Sequence, residues 1–226
     1  IKDHIIQNYG IKDHKITVIH RGADTDYFSP QNIDKTKLSR IQKKYNISKP
    51  VILLPGRITK WKGQELFIKA ISLLKNTNFH ALIVGDHSKH PQYYNKLKHK
   101  ITDINNIAIY SAETDMKHLY MASDIIISAS TKAEAFGRVA TEGQAMEKIV
   151  IATELGGSCE TIINDKTGFL VPANDAQQLA NKIDYALDNL SKDKMKKLTK
   201  NARQHIIANF STTHMQAKTI KLYEEL

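Results

Sequence analysis

Short apolar, β-branched runs alternate with amphipathic stretches along the chain. ITVI (16–19), VILLP (51–55), HALIVG (80–85), IAIY (107–110), DIIISAS (124–130), IVIAT (149–153) and GFLV (168–171) predict strands. Several are nearly unbroken in Ile, Val and Leu, as expected of strands buried on both faces of a parallel sheet. Between them, GQELFIKAISLLKN (63–76) sets Leu66, Ile68, Ala70, Ile71, Leu73 and Leu74 near one side of a helix, with charges opposite. PQYYNKLKHKI (91–101) opens with Pro91, a residue suited to a first helical turn. Residues 115–122 and 136–147 predict two more short helices, and the end of the chain predicts three in succession, 175–190, 193–209 and 212–226. Asp175 and Ser211 stand as N-caps, and Ser158 as the cap of a short helix carrying Glu160. Strands alternating with helices of this length give βαβ units. The fold class is therefore α/β, a Rossmann-like doubly wound parallel sheet of about six strands with helices on both faces.

The pattern also divides the chain. Residues 1–22 predict a helix and a strand with no sheet neighbour, as if left from a preceding domain. Residues 23–50 read as a connection and a helix, 51–210 as one domain, and 211–226 as a final helix. The chain opens at Ile1 inside what already reads as structure, so a longer parent protein is expected. No repeat or low-complexity tract interrupts it.

Composition narrows the class. Hydrophobic residues make up 41% and charged residues 25%, which argues against a disordered chain. Only 10 Gly and 5 Pro disfavour a turn-rich all-β fold. The single Cys159 excludes an internal disulfide framework and a cysteine zinc cluster, and points to a reducing compartment. No apolar run approaches the roughly 18 residues needed to span a bilayer. The net charge of +10 gathers in two groups, Lys35, Lys37, Arg40, Lys43 and Lys44, then Lys192, Lys194, Lys196, Lys197, Lys200 and Arg203. Either these are solvated helix faces, or they attract an anionic membrane surface or polyanion. No aromatic residues interleave with them, so no nucleic acid partner is expected. The expected location is cytoplasmic, with peripheral contact at the inner face of the membrane left open.

Candidate chemistry sits after the strands, where ligands bind in open α/β sheets. In LLPGRITKWKG, Gly56 and Arg57 follow a strand, and Lys62 and Gly63 open the next helix. A glycine turn, two cations and a helix start suit an anion. The loop is neither a Walker A sequence nor a G-x-G-x-x-G turn. In STKAEAFGRVATEGQAM, Glu134 leaves a strand, Phe136 and Gly137 begin a helix, and Glu142 lies within it. A glycine there exposes backbone N–H groups to a ligand, and ionised carboxylates suit sugar hydroxyls. A third turn, ELGGSCETI, carries Gly156, Gly157 and Glu160. Each stretch alone also reads as a plain surface loop or cap. His87 and His90 lack a third ligand and make a poor metal site. Trp61 suits packing, Asp86 a turn, and Cys159 a structural role, although a helix start near it would favour the thiolate.

Taken in order, these stretches resemble the C-terminal, donor-binding half of glycosyltransferase family 4, the large retaining GT-B family. The resemblance rests on Gly22, Asp24 and Phe28; Gly56-Arg57 with Lys62-Gly63; Val84-Gly85; Ser130; Glu134 and Glu142 around Phe136-Gly137; Gly156-Gly157 with Glu160; and Thr167-Gly168-Phe169-Leu170-Val171. It covers nearly all of residues 16–190. The sequence departs from the family pattern at Arg21, Ala135, Glu147 and Ile149, where Asn, Pro or Gly, Gly, and Pro are usual.

The resemblance implies a hexosyltransferase-type enzyme that moves a sugar from a nucleotide-diphosphate sugar to an acceptor with retention. Arg57, Lys62 and Glu134 would be the catalytic residues: the two cations on the diphosphate, Glu134 on donor-sugar hydroxyls. Gly56, the backbone of Phe136, Gly137 and Arg138, and Glu142 would bind the donor, with Glu142 on the ribose. The base would lie near Tyr110 and Ser111. No metal and no cofactor are expected. The acceptor, of lipid or lipopolysaccharide type in cell-envelope polysaccharide synthesis, would be held by an N-terminal domain outside this chain. The final helix would pack toward that domain through Tyr223 and Leu226. A sugar-nucleotide epimerase and a non-catalytic nucleotide-sugar-sensing module remain the alternatives.

Overall fold

Six strands form, at Val51–Pro55 (β1), His80–Val84 (β2), Ile107–Tyr110 (β3), Ile125–Ser128 (β4), Ile149–Thr153 (β5) and Phe169–Val171 (β6). They are known from a computed structural model that describes residues 2–225. All pair in parallel in the order β3-β2-β1-β4-β5-β6. The order reverses between β1 and β4. Helices cover both faces, as the nearly continuous apolar strands require.

The alternation of side chains along β1 shows the two layers. Ile52 and Leu54 join one core with Phe67, Ile68, Leu97, Leu179 and Ile183. Those residues belong to helices Gln64–Ile71 (α3), Pro91–Lys100 (α4) and Ala176–Leu187 (α8). Val51 and Leu53 join the other core with Ile41, Tyr45, Leu119, Tyr120, Ala140 and Met146. That face is covered by Lys35–Lys44 (α2), Met116–Met121 (α5) and Arg138–Ala145 (α6). Each fully buried aliphatic side chain contributes about 1.5–3 kcal/mol, so the two cores hold the sheet rigid.

The expected caps form at α8, where Asp175 accepts from Gln178 N–H, and at Thr212–Glu224 (α10), where Ser211 accepts from His214 N–H. Asp34 caps α2 in the same way. Ser158 does not act as a cap. The short helix Gly157–Thr161 (α7) follows Gly156 with no side-chain cap, and the Ser158 side chain is buried. The helix expected over 63–76 stops at Ile71, buries Phe67, and leaves Leu73 exposed.

The strand expected at 16–19 does not form. Its β-branched sequence has no sheet edge to pair with among the described residues, and propensity alone does not hold a strand. Helix Lys2–Tyr9 (α1) precedes it and buries no residue. The segment then joins the domain through His20, which pairs with Glu160 at 2.5 Å and meets the Phe210 ring edge-on, and through Ala23, which bridges Ser211 at the start of α10. Tyr223 is 73% exposed in this chain, and Leu226 lies outside the described residues. Glu147 adopts a left-handed φ of 54°, the conformation for which Gly is usual at that turn.

Arg203, grouped above with a basic face, is turned inward from Asp193–Phe210 (α9). It donates to the carbonyls of Phe28 at 3.0 Å and Ala145 at 2.5 Å, and to Ser29 Oγ at 3.0 Å. The lysines of both groups are exposed.

Candidate functional site

The loops leaving β1 and β4 meet where the strand order reverses. Thr131 N–H donates to the Trp61 carbonyl at 2.7 Å and ties them together. Lys62 Nζ donates to Glu134 Oε1 at 2.7 Å, with both side chains largely buried. The Ser130 hydroxyl donates to the same carboxylate oxygen. The Lys62 ammonium also sits 4.5 Å from the centre of the Trp61 ring, a cation–π contact. The Lys62 stem passes Gly56, whose backbone opens the loop after β1. Arg57 is exposed, and its side chain makes no ion pair or hydrogen bond among the described residues. Its carbonyl accepts from Gln64 Nε2 at 2.9 Å, which fixes the loop beneath it.

Gly137 caps α6 with φ 78°, a left-handed turn that Gly adopts without strain. The N–H groups of Phe136, Gly137 and Arg138 donate to no acceptor among the described residues. Buried Phe136 packs near Phe210, 6.2 Å between ring centres, which anchors the start of the helix. Gly157 N–H donates to the Glu134 carbonyl at 2.7 Å and braces the loop from behind. These free donors and the positive end of α6 make a site for an anion.

One turn into α6, the Glu142 carboxylate is 16% exposed. Tyr120 O–H donates to Oε2 at 3.0 Å, and Arg138 Nε lies 3.8 Å from Oε1. Burial raises the Glu142 pKa above the ordinary carboxylate value, against the lowering effects of Tyr120 and Arg138. Tyr120 is fully buried, and burial together with the Glu142 charge pushes its pKa well up.

Tyr110 and Ser111 lie at the same end of the sheet but two strands from β1. The Tyr110 carbonyl accepts from Gly85 N–H at 3.2 Å, and its ring meets Tyr45 edge-on at 4.7 Å. Ser111 Oγ is 3.2 Å from His87 Nε2, and His87 stacks on Tyr94. Beyond them, Glu113 is held down at about 2: burial opposes ionisation, but hydrogen bonds from Asp115 N–H, Lys44 and Tyr45 overcome it.

At the strand-end crevice the structure sets Lys62 against Glu134 and Gly56, with Phe136 and Gly137 following Glu134 at the start of α6, Arg57 and Arg138 beside them in the chain, Glu142 one turn along α6, and Tyr110 and Ser111 at the same end of the sheet. Ser130 and Tyr120 belong with them, although the sequence did not single them out as ligand-facing. Ser130 carried a signal, four positions before Glu134 at a strand end. Tyr120 carried none, being one aromatic residue in a short apolar helix. His87 and His90 gather no further ligands, and no metal-type cluster of three occurs among the described residues. The Cys159 thiol pKa is raised by partial burial and by Glu154, not lowered. Cavities of about 540 and 500 Å³ lie beside the crevice, near Lys60 and Tyr93, not over the Lys62–Glu134 pair.

Comparison with known proteins places this chain among relatives. The sequence profile described as "Glycosyl transferases group 1" matches residues 36–205. A glycosyltransferase from Rickettsia africae ESF-5 is 46% identical, with a TM-score of 0.96 over 99% of this chain and 60% of its own. A structure of Anabaena HepE in complex with UDP-glucose shares the fold at 24% identity, with a TM-score of 0.88 over all of this chain and 61% of its own. The C-terminal domain of a glycosyl transferase group 1 protein from Francisella tularensis is 27% identical, with a TM-score of 0.71 over 84% of this chain and 99% of its own. The chain spans about half the length of the curated relatives it matches, 46% of one and 51% of another. The doubly wound sheet is that of the GT-B glycosyltransferases. No helix among the described residues is long and apolar enough to cross a membrane.

Proposed function

Because this chain belongs to the glycosyl transferases of group 1, we propose that it is the C-terminal, donor-binding half of a retaining family 4 enzyme. Its crevice binds a nucleotide-diphosphate sugar. The acceptor is held by a part of the protein outside these 226 residues. The match to an isolated C-terminal domain supports the assignment of the half. The observation that carries the donor reading is the Lys62–Glu134 pair beside the open start of α6. It sets cations, bare N–H donors and a carboxylate within one crevice, which a phosphate joined to a sugar needs together.

Arg57 and Lys62 pair with the diphosphate and stabilise its charge as it leaves. The N–H groups at Phe136, Gly137 and Arg138 hold the distal phosphate. Glu134 accepts from sugar hydroxyls and Glu142 from the ribose. The base lies against the backbone at Tyr110 and Ser111. These groups supply the positive charge that a divalent ion supplies elsewhere, so donor binding needs no metal. Retention follows from front-side displacement, in which the leaving phosphate takes the acceptor proton and no protein nucleophile acts.

Thermal melting with UDP, GDP, ADP and their glucose and N-acetylglucosamine conjugates, with and without EDTA, tests the reading. At about 100 times its dissociation constant a true ligand stabilises the fold by about 2.7 kcal/mol, in EDTA as without it. No shift with any of them would sink the donor assignment.

A further inference from the structure

The segment carrying Gly22, Asp24 and Phe28 is marked in the sequence, yet none of its side chains enters the roles above. Asp24 Oδ1 accepts from the N–H groups of Asp26 and Tyr27 and closes a tight turn. That turn presents Phe28, whose ring meets Tyr120 edge-on at 5.8 Å. The Phe28 carbonyl is fixed from the other side by Arg203. Tyr120 is 1% exposed, and its hydroxyl reaches one acceptor, Glu142 Oε2, at 3.0 Å. A line of contacts therefore runs from the turn at Asp24 through Phe28 and Tyr120 to the carboxylate.

We propose that Tyr120, buttressed by Phe28, is the positioning residue that holds Glu142 ionised and in place for the ribose of the donor. This rests on the donor reading above. Without the Tyr120 hydroxyl, Oε2 would lose its buried donor, and a largely buried carboxylate with an open lone pair either turns or takes a proton. The charged and titratable groups that face Glu142 are Tyr120 from α5, Arg138 from its own helix and Tyr27 from the connecting turn. Arg138 is too exposed, at 78%, to substitute for the lost bond.

The test is a double-mutant cycle on the 226-residue chain, with Tyr120→Phe, Glu142→Gln and the pair, titrated with UDP, GDP and ADP between pH 5 and 8. Tyr120→Phe keeps the ring, so melting and circular dichroism report whether the fold is intact. We expect Tyr120→Phe to weaken the diphosphate that binds wild type by about 5- to 30-fold. It should also move the acid limb of binding to higher pH. In the Glu142→Gln background the same change should cost less than about twofold, because the partner is gone. Phe28→Leu should give a smaller loss with the same pH signature. An equal loss in both backgrounds, or an unmoved pH profile, would make Tyr120 a packing residue only and overturn the proposal. If wild type binds none of the three nucleotides, the donor reading itself fails and this inference falls with it.

Discussion

Lys62 Nζ and Glu134 Oε1 lie 2.7 Å apart in a largely buried ion pair, although the proposed roles send one to phosphate and the other to sugar. The pair keeps each charge compensated and in position until the donor arrives. Under the proposed roles, a diphosphate would compete with Glu134 for the ammonium, and sugar hydroxyls with Lys62 for the carboxylate. Ser130 contacts the Glu134 side of the pair and Trp61 the Lys62 side. Removing either partner leaves the other buried and uncompensated.

Glu134→Gln separates the two roles. A neutral amide holds the ammonium less strongly, so Lys62 is freer for phosphate. Free nucleoside diphosphate should bind as well as to wild type, or up to about fivefold better, while its sugar conjugate weakens by roughly tenfold. Calorimetry with both ligands decides. Equal losses for the two would show that Glu134 does not read the sugar.

Arg57→Ala addresses the phosphate alone. Its guanidinium is exposed and unpaired among the described residues, so the variant should fold normally. A lost charge-assisted contact at an exposed position should cost about 1–2 kcal/mol, or roughly 5- to 30-fold, for a nucleoside diphosphate. The parent nucleoside should bind unchanged. A matching loss for the nucleoside places Arg57 elsewhere in the site.

The six sheet strands were legible because each is a short, mostly apolar run between turn residues, several of them nearly unbroken in Ile, Val or Leu. Residues 16–19 have the same local character and form no strand, because pairing depends on a sheet edge that a local pattern does not reveal. The site loops were legible as glycine turns with cations and carboxylates after strands. Their mutual contacts were not. Lys62 and Glu134 are 72 positions apart, and Tyr120 and Glu142, 22 apart, sit on separate helices. Arg203 misled for the same reason. Two of its acceptors are carbonyl groups 58 and 175 positions away, and any residue type presents a carbonyl.

Gly85 tests how closely the site loops are built on one another. A Cβ placed there would lie 1.7 Å from the Gly56 carbonyl oxygen, a backbone atom that gives little. Gly85→Ala should therefore force the loop after β1 away from β2 and destabilise the protein by about 3 kcal/mol. It should also weaken nucleoside diphosphate binding through displaced Arg57 and Lys62. Chemical denaturation measures the first and calorimetry the second. Wild-type stability would mean the loop after β1 moves freely.

Two carboxylates give the fold opposite pH dependences. Glu113 is held at about 2, below its ordinary 4.5, so its stabilisation is present above the unfolded value and is lost as pH falls from about 4.5 toward 2. Glu113→Gln should therefore lower the melting temperature at pH 7, with the difference shrinking as pH falls through that window. Glu142 has the reverse sign. Its pKa is raised by burial, so its favourable contribution is present below 4.5 and is lost as pH rises through the folded value. At pH 7 the ionised Glu142 costs stability, and Glu142→Gln should melt at the same temperature as wild type or a few degrees higher. That gain should vanish below pH 4, where the native carboxyl is neutral as well. The same variant should bind nucleoside diphosphate more weakly at pH 7. A protein that becomes more stable as it loses its ligand holds a charge kept for binding, whereas a drop in melting temperature at pH 7 would make Glu142 a structural ion.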